Sequence, residues 1–136
     1  MTRLFADSGY WIAILSPRDQ LHEEALRFSR QMGSVHIFTS EWVLIKVLNA
    51  FAEGPSWLRQ GASELVAKLE ADSNVTVVRY ASNDFSDSLR LYRERPDKEW
   101  SLTDCASFLI MRRHNIDSAL TPDHHYEQAR FKALLR

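Results

Sequence analysis

WSLTDCASFLI, residues 100–110, is the stretch around which this chain is organised, because polar residues run here directly into an apolar helical face. Ser101 and Asp104 have the spacing of a capping box, in which the serine hydroxyl and the acid each bind a backbone N–H of the first turn. The pattern therefore predicts a helix that begins at Ser101 and carries a carboxylate in its first turn. Capping alone would account for both residues, and it contributes only about 1 kcal/mol.

Two other aspartates have a similar setting, since each follows a short apolar run that ends in a turn. Asp7 follows residues 3–6, and Asp123 follows the run 118–120 through Thr121 and Pro122. Apolar runs that alternate with helical patterns predict βαβ units and a mostly parallel sheet with helices on both faces. Because ligands bind at the carboxyl edge of such a sheet, we expect Asp7, Asp104 and Asp123 to converge there.

The remaining elements are read from periodicity and from Gly and Pro breaks. We expect helices over residues 10–15, 20–32, 39–54, 56–71, 82–94, 101–114 and 124–131. Strands are expected over 3–6, 35–38, 75–78 and 118–120, with 132–136 as a last strand or a frayed tail.

Length and composition predict one globular domain over residues 1–136, with 45% hydrophobic residues to build its core. The single Cys105 cannot form an internal disulfide, which favours a buried thiol in a reducing, cytoplasmic setting. No run approaches the roughly 18 apolar residues of a membrane span, so no membrane association is expected. The net charge of −1 offers no general attraction to nucleic acid. Any such contact needs a local patch. The best candidate cluster is Arg90, Arg93, Arg95 and Lys98, although a solvated charged connection between two helices accounts for it more simply.

Three converging carboxylates repel one another unless a divalent cation lies among them. Oxygen ligands without cysteine favour Mg²⁺ or Mn²⁺ over zinc, and such ions support phosphodiester hydrolysis. Ser8, Ser101 and Thr103 could orient the carboxylates or bound water. His124 and His125 point about 100° apart on a helix, so at most one of them is expected to face the site.

Four motifs in order resemble those of the PIN-domain ribonucleases, and among them the VapC-like toxins of toxin–antitoxin pairs. They lie at residues 4–8, 39–49, 100–105 and 120–131, and the resemblance runs nearly end to end. It implies a three-layer α/β/α fold with a parallel sheet of about five strands. It also implies Mg²⁺ or Mn²⁺ dependence, cleavage of single-stranded or structured RNA, a protein antitoxin and a homodimer. The catalytic and metal-binding residues would be Asp7, Asp104 and Asp123, with Ser8, Lys46, Ser101, Thr103 and Thr121 around them.

Lys46 departs from the family pattern, because it stands where the family normally has its second acid, a glutamate. Glu41 points about 140° away from Lys46 on a helix, whereas Glu53, two turns on, shares its face about 10 Å further along. Two interpretations stay open: Lys46 inactivates the nuclease, as a natural or introduced change, or its ammonium replaces one cation and meets the substrate phosphate. An inactive module that binds an antitoxin or RNA is therefore the alternative function. Arg130 also stands where the family usually has glycine.

A different Mg²⁺-dependent α/β enzyme, such as a phosphatase, is disfavoured because no Asp-x-Asp motif follows the first strand. The first helices are rich in aromatic residues, which predicts an exposed partner surface there. Its expected members are Tyr10, Trp11, Leu15, Trp42 and Trp57.

Overall fold

The computed structural model describes residues 1–136 and contains one five-stranded sheet. Its strands are β1 (Thr2–Ala6), β2 (Val35–Ser40), β3 (Val75–Val78), β4 (Ser118–Leu120) and β5 (Lys132–Ala133). The helices are α1 (Ser8–Leu15), α2 (His22–Gln31), α3 (Glu41–Ala50), α4 (Ser56–Ala71), α5 (Asp84–Glu94), α6 (Leu102–Arg113) and α7 (His124–Gln128). The strand order is β3-β2-β1-β4-β5 and every pairing is parallel, which confirms the expected three-layer α/β fold. No helix is long and apolar enough to span a bilayer.

The strand order changes direction at β1, which pairs with β2 on one side and with β4 on the other. Ala6 is in register with Leu120, and the Asp7 N–H donates to the Leu120 carbonyl at 3.2 Å. The segments that follow β1 and β4 therefore leave the sheet side by side. This is the switch point at which open parallel sheets bind ligands.

The core is built on α6, most of which is buried. Phe108 of α6 packs edge-on against Trp100 and Tyr126, with ring centroids 5.0 Å apart in both pairs. Cys105 is fully buried, as expected, and burial raises the pKa of its thiol to about 11. A thiol with such a pKa stays protonated at neutral pH and acts as a small core side chain.

The helix of residues 56–71 and the strands of residues 75–78 and 118–120 have the bounds predicted from sequence. Two details differ. Thr39 lies within β2, so the cap of α3 is Ser40 alone, whose hydroxyl accepts from the Val43 N–H at 3.1 Å. The helix α3 ends at Ala50, so Glu53 lies beyond it and does not continue the face of Lys46.

The expected partner surface on the first helices is wrong for Tyr10 and Trp11, which are buried. Tyr10 is 2% exposed and Trp11 is 5% exposed. The Trp11 indole donates to the Thr39 hydroxyl at 3.3 Å, which ties α1 onto β2. Leu15 and Trp42 are half-buried, and among the predicted residues only Trp57 is largely exposed. A helix that is apolar on every side, as α1 is, belongs inside the fold.

Candidate active site

Asp7 is the residue that follows β1, and its carboxylate lies inside the protein. It occupies the N-cap position of α1, yet its side chain accepts no capping hydrogen bond from that helix. The carboxylate instead accepts from the Thr121 hydroxyl at 3.1 Å, across the switch point. Helix capping therefore does not account for this buried acid.

The electrostatic surroundings of Asp7 disfavour its charge. Burial is the main reason that the pKa of its carboxyl is raised, and the negative charge of Asp104 raises it further. The Ser8 N–H, the Lys46 ammonium and the Thr121 hydroxyl act in the opposite direction. A buried carboxylate next to a second one is stabilised when a cation binds between them.

Asp104 forms the predicted capping box and also faces the site. Its Oδ2 accepts from the Ser101 N–H at 3.0 Å, and its own N–H donates to the Ser101 hydroxyl at 3.0 Å. The same Oδ2 lies 3.2 Å from His125 Nδ1. Because both contacts of the carboxylate fall on Oδ2, the other carboxylate oxygen, Oδ1, carries no hydrogen bond. The capping and ligand interpretations of Asp104 are therefore compatible.

Asp123 caps α7 and gathers two imidazoles. Its Oδ1 accepts from the His125 N–H at 2.9 Å, and Nδ1 of His125 lies 3.3 Å from the same oxygen. Nδ1 of His124 lies 3.7 Å from it, and the two rings stack with centroids 4.4 Å apart. The ligating atoms of these three residues all lie within 4.8 Å of one another. Only His125 also contacts Asp104, whereas His124 is exposed and lies near Asp123 alone, so the expectation that at most one histidine faces the site is not contradicted.

Two residues connect the three acids. Thr121 is fully buried, donates to Asp7 and accepts from the Asp123 N–H at 3.1 Å. His125 contacts both Asp104 and Asp123. The structure thus brings together all three aspartates predicted from sequence, from the ends of β1 and β4 and from the start of α6.

Close packing holds α1 against the segment after β4. A Cβ at Gly9 would lie 3.1 Å from Pro122 Cδ, so a larger residue would push these two segments apart. Gly9 therefore lets the first turn of α1 approach the segment between Thr121 and Asp123.

Lys46 is exposed on α3, and its charge lowers the pKa of Asp7. Its charge therefore acts on the site, although its side chain forms no hydrogen bond or ion pair with the acids. Glu41 lies elsewhere, because its carboxylate pairs with Arg79 at 3.1 Å and also accepts from the Tyr80 N–H. Neither Glu41 nor Glu53 supplies the missing fourth acid.

The other residues expected around the acids vary in position. Ser8 is buried in the first turn of α1, and Thr103 is half-buried in the first turn of α6. Ser101 is exposed, and its hydrogen bonds are those of the capping box. Sequence reasoning missed Tyr126, whose fully buried hydroxyl has no well-aligned hydrogen bond and whose pKa is raised by burial and by the Asp7 charge. No sequence pattern distinguishes such a tyrosine from an ordinary aromatic core residue.

Comparisons with known proteins agree with this architecture. A family model described as PIN domain matches residues 4–132. The structure of the VapC20 toxin of Mycobacterium tuberculosis, described as cleaving the sarcin–ricin loop, superposes with a TM-score of 0.82 at 22% identity, covering 94% of this chain and 95% of that one. FitAcB of Neisseria gonorrhoeae gives a TM-score of 0.62 at 13% identity, covering 96% of this chain and 94% of that one. At these identities the two likenesses show the fold alone. No curated protein sequence matches the chain.

Proposed function

The chain belongs to the PIN domain family, and on that basis we propose that it is a metal-dependent ribonuclease and the toxin of a toxin–antitoxin pair. The observation that carries this proposal is the meeting of Asp7, Asp104 and Asp123 at the switch point of the sheet, linked through Thr121 and His125. Carboxylates from separate elements repel one another when they lie close together inside a protein, so this arrangement is unfavourable by itself. A cation bound between them would offset the repulsion.

The residues fit a divalent cation. Asp104 and Asp123 each keep one carboxylate oxygen outside the hydrogen bonds described above, and Asp7 is buried beside the Asp104 charge. Carboxylate oxygens suit Mg²⁺ and Mn²⁺. When bound, such an ion activates water and stabilises the charge that develops on the leaving oxygen of a phosphodiester.

The chain's own residues prepare this site. Thr121 orients Asp7 by donating to its Oδ2, and the capping box fixes Asp104 at the start of α6. His125 lies between Asp104 and Asp123 and contacts both, which holds the two acids at a set separation. Lys46 supplies a positive charge that attracts the phosphate of an approaching RNA strand.

A catalytically inactive module that binds an antitoxin or RNA is the second candidate. The observation that favours it is Lys46, whose ammonium relieves part of the repulsion around Asp7 that a cation would otherwise relieve. A lysine in place of the family's glutamate weakens cation binding because its positive charge repels the ion, although solvent screening of the exposed Lys46 reduces this effect to about 1 kcal/mol.

We propose single-stranded or structured RNA as the substrate and a protein antitoxin as the partner. We further propose that the protein is a homodimer that acts in the cytoplasm, with one domain over residues 1–136. The support is the family membership and the fold shared with VapC20 and FitAcB. Sedimentation that gives a monomer at every concentration would contradict the homodimer.

Metal titration of the purified protein tests the proposed function. We expect Mn²⁺ or Mg²⁺ to raise the melting temperature and to be required for cleavage of RNA, because a ligand that binds only the folded state stabilises it. Asp104→Asn should abolish both effects, whereas Asp87→Asn on the exposed face of α5 should leave both unchanged. Metal-independent stability together with no cleavage would favour the binding module.

A further inference from the structure

A cleft of about 830 Å³ opens beside the start of α6. Its walls come from the end of α5 and the segment that leads to α6, and they include Tyr92, Arg93, Arg95, Lys98 and Ser101. Ligand sites generally measure roughly 300–1,000 Å³, so this cleft has room for a nucleotide.

The cleft adjoins the candidate active site through two residues of its wall. The Ser101 N–H donates to Oδ2 of Asp104 at 3.0 Å, so the wall lies one hydrogen bond from a carboxylate of the site. The Trp100 indole donates to Gln128 Oε1 at 3.0 Å, which ties the same wall to the helix that begins after Asp123. The cleft wall and the candidate site therefore share the segment of residues 100–104.

Cations predominate in the lining. The lining residues include three cations, Arg93, Arg95 and Lys98, and one acid, Glu99. Arg93 is exposed and forms no ion pair, and Lys98 has only a 3.8 Å contact with Asp97. Three cations that share one acidic partner, Asp97, leave a net positive charge beside a proposed phosphodiesterase site, which suits phosphate groups.

Arg95 is held in place before any ligand arrives. Its guanidinium lies over the Trp100 ring at 5.0 Å, and its Nε and Nη2 each donate to Asp97 at 3.0 Å. These contacts leave Nη1 and its two donors free. A guanidinium fixed on an aromatic ring loses little side-chain entropy when it binds a phosphate.

Tyr92 adds an aromatic surface, since it lines the cleft and is 51% exposed. Bases of single strands stack on such rings regardless of sequence. Trp100 cannot serve in this way, because it is 4% exposed and covered by Arg95.

We propose that this cleft binds the part of a single-stranded RNA segment that flanks the cleaved phosphodiester, an inference that rests on the proposed ribonuclease function. Arg93, Arg95 and Lys98 contact its phosphates, and Tyr92 stacks on one of its bases. An excess of cations next to an exposed ring favours an RNA strand over a protein segment, which would need a larger apolar surface.

The test is the anisotropy of a fluorescein-labelled single-stranded RNA in EDTA, measured over a range of salt concentrations. Arg93→Ala/Lys98→Ala should weaken binding about tenfold and make the salt slope shallower by about 1.4, for two lost contacts at about 0.7 each. The matched control is Arg27→Ala/Lys68→Ala, which removes the same charge from α2 and α4, where neither residue forms an ion pair. It should change the affinity less than about twofold if the contacts are local.

A second pair of variants tests the stacking contact. Tyr92→Leu should weaken RNA binding about tenfold, whereas Tyr92→Phe, which keeps the ring, should bind as the parent does. Equal losses in the two charge-removal variants would overturn the proposal, since general electrostatic attraction would then explain binding. The proposal would also be overturned if Arg93→Ala/Lys98→Ala bound RNA as the parent does but no longer retained an acidic protein that copurifies with the parent. The cleft would then bind a protein and not RNA.

The cleft and the proposed function fail in different ways. RNA cleavage in Mn²⁺, together with unchanged RNA binding by Arg93→Ala/Lys98→Ala, would overturn the cleft while the ribonuclease function stands. A parent protein that neither binds nor cleaves the RNA would overturn both.

Discussion

Lys46→Glu is the change that tests the candidate site most directly, because it restores the acid of the family pattern next to Asp7. The charge of Lys46 lowers the pKa of Asp7, while that of Asp104 raises it. A glutamate at this position therefore replaces an attraction by a repulsion in the free protein. It also adds a carboxylate for a bound cation.

The magnitude follows from the exposure of Lys46. Unit charges about 4 Å apart interact by about 4 kcal/mol at an effective dielectric of about 20. Lys46 is exposed and forms no direct ion pair with the acids, so solvent screening reduces each term to about 1 kcal/mol. Charge reversal should then lower the free energy of unfolding without metal by about 1–2 kcal/mol. It should tighten Mn²⁺ binding at least tenfold, or about 1.4 kcal/mol.

Calorimetric titration with Mn²⁺ and thermal melting in EDTA measure these two effects in one protein preparation. Lys68→Glu is the matched control, since it reverses an exposed lysine charge on α4 away from the site. RNA cleavage should rise in Lys46→Glu, and a further Asp104→Asn should remove the gain. If Lys46→Glu and Lys68→Glu have the same metal affinity and the same melting temperature in EDTA, Lys46 does not act on the site and the reasoning is refuted.

Three more changes have defined outcomes. Asp7→Asn should stabilise the metal-free protein at neutral pH. The pKa of Asp7 is higher in the folded than in the unfolded state, so the free energy of unfolding of the parent falls as pH rises above the ordinary carboxyl range. Denaturant melts over a range of pH should show this decrease in the parent and not in the variant. Thr121→Val should cost about 1–3 kcal/mol and weaken Mn²⁺ binding, because two hydrogen bonds are lost, while Thr121→Ser should retain both properties. Arg130→Gly should raise the free energy of unfolding by about 0.5–1 kcal/mol, since Arg130 has φ = 73°, and Arg130→Ala, which keeps the left-handed strain, should bring no such gain in urea melts.

The architecture was readable from local patterns. The Ser101–Asp104 spacing predicted the capping box that the structure contains, and β-branched residues predicted β3 with its observed bounds. Alternation of strands and helices predicted the parallel sheet and hence the edge at which the acids meet. The conformation of Arg130 also explains why glycine is usual at its position in the family, because φ lies in the left-handed region.

The misjudged features depend on burial and on where elements stop. Tyr10 and Trp11 were expected at the surface, but α1 packs between the sheet and its neighbouring helices and covers them. Glu53 was placed on the face of Lys46, but α3 ends at Ala50. Helix ends and the packing of an all-apolar helix are decided by neighbours far away in the chain.

By itself, the sequence determined which segments form strands and helices, because periodicity, caps and breakers act over a few residues. It also determined which acids follow the strands. Only the tertiary structure decided which side chains meet. Thr121 reaches Asp7 across 114 positions of the chain because β1 and β4 pair in parallel with Ala6 beside Leu120. His125 reaches Asp104 because α7 packs beside the start of α6. Such contacts depend on strand register and burial, which no local pattern encodes.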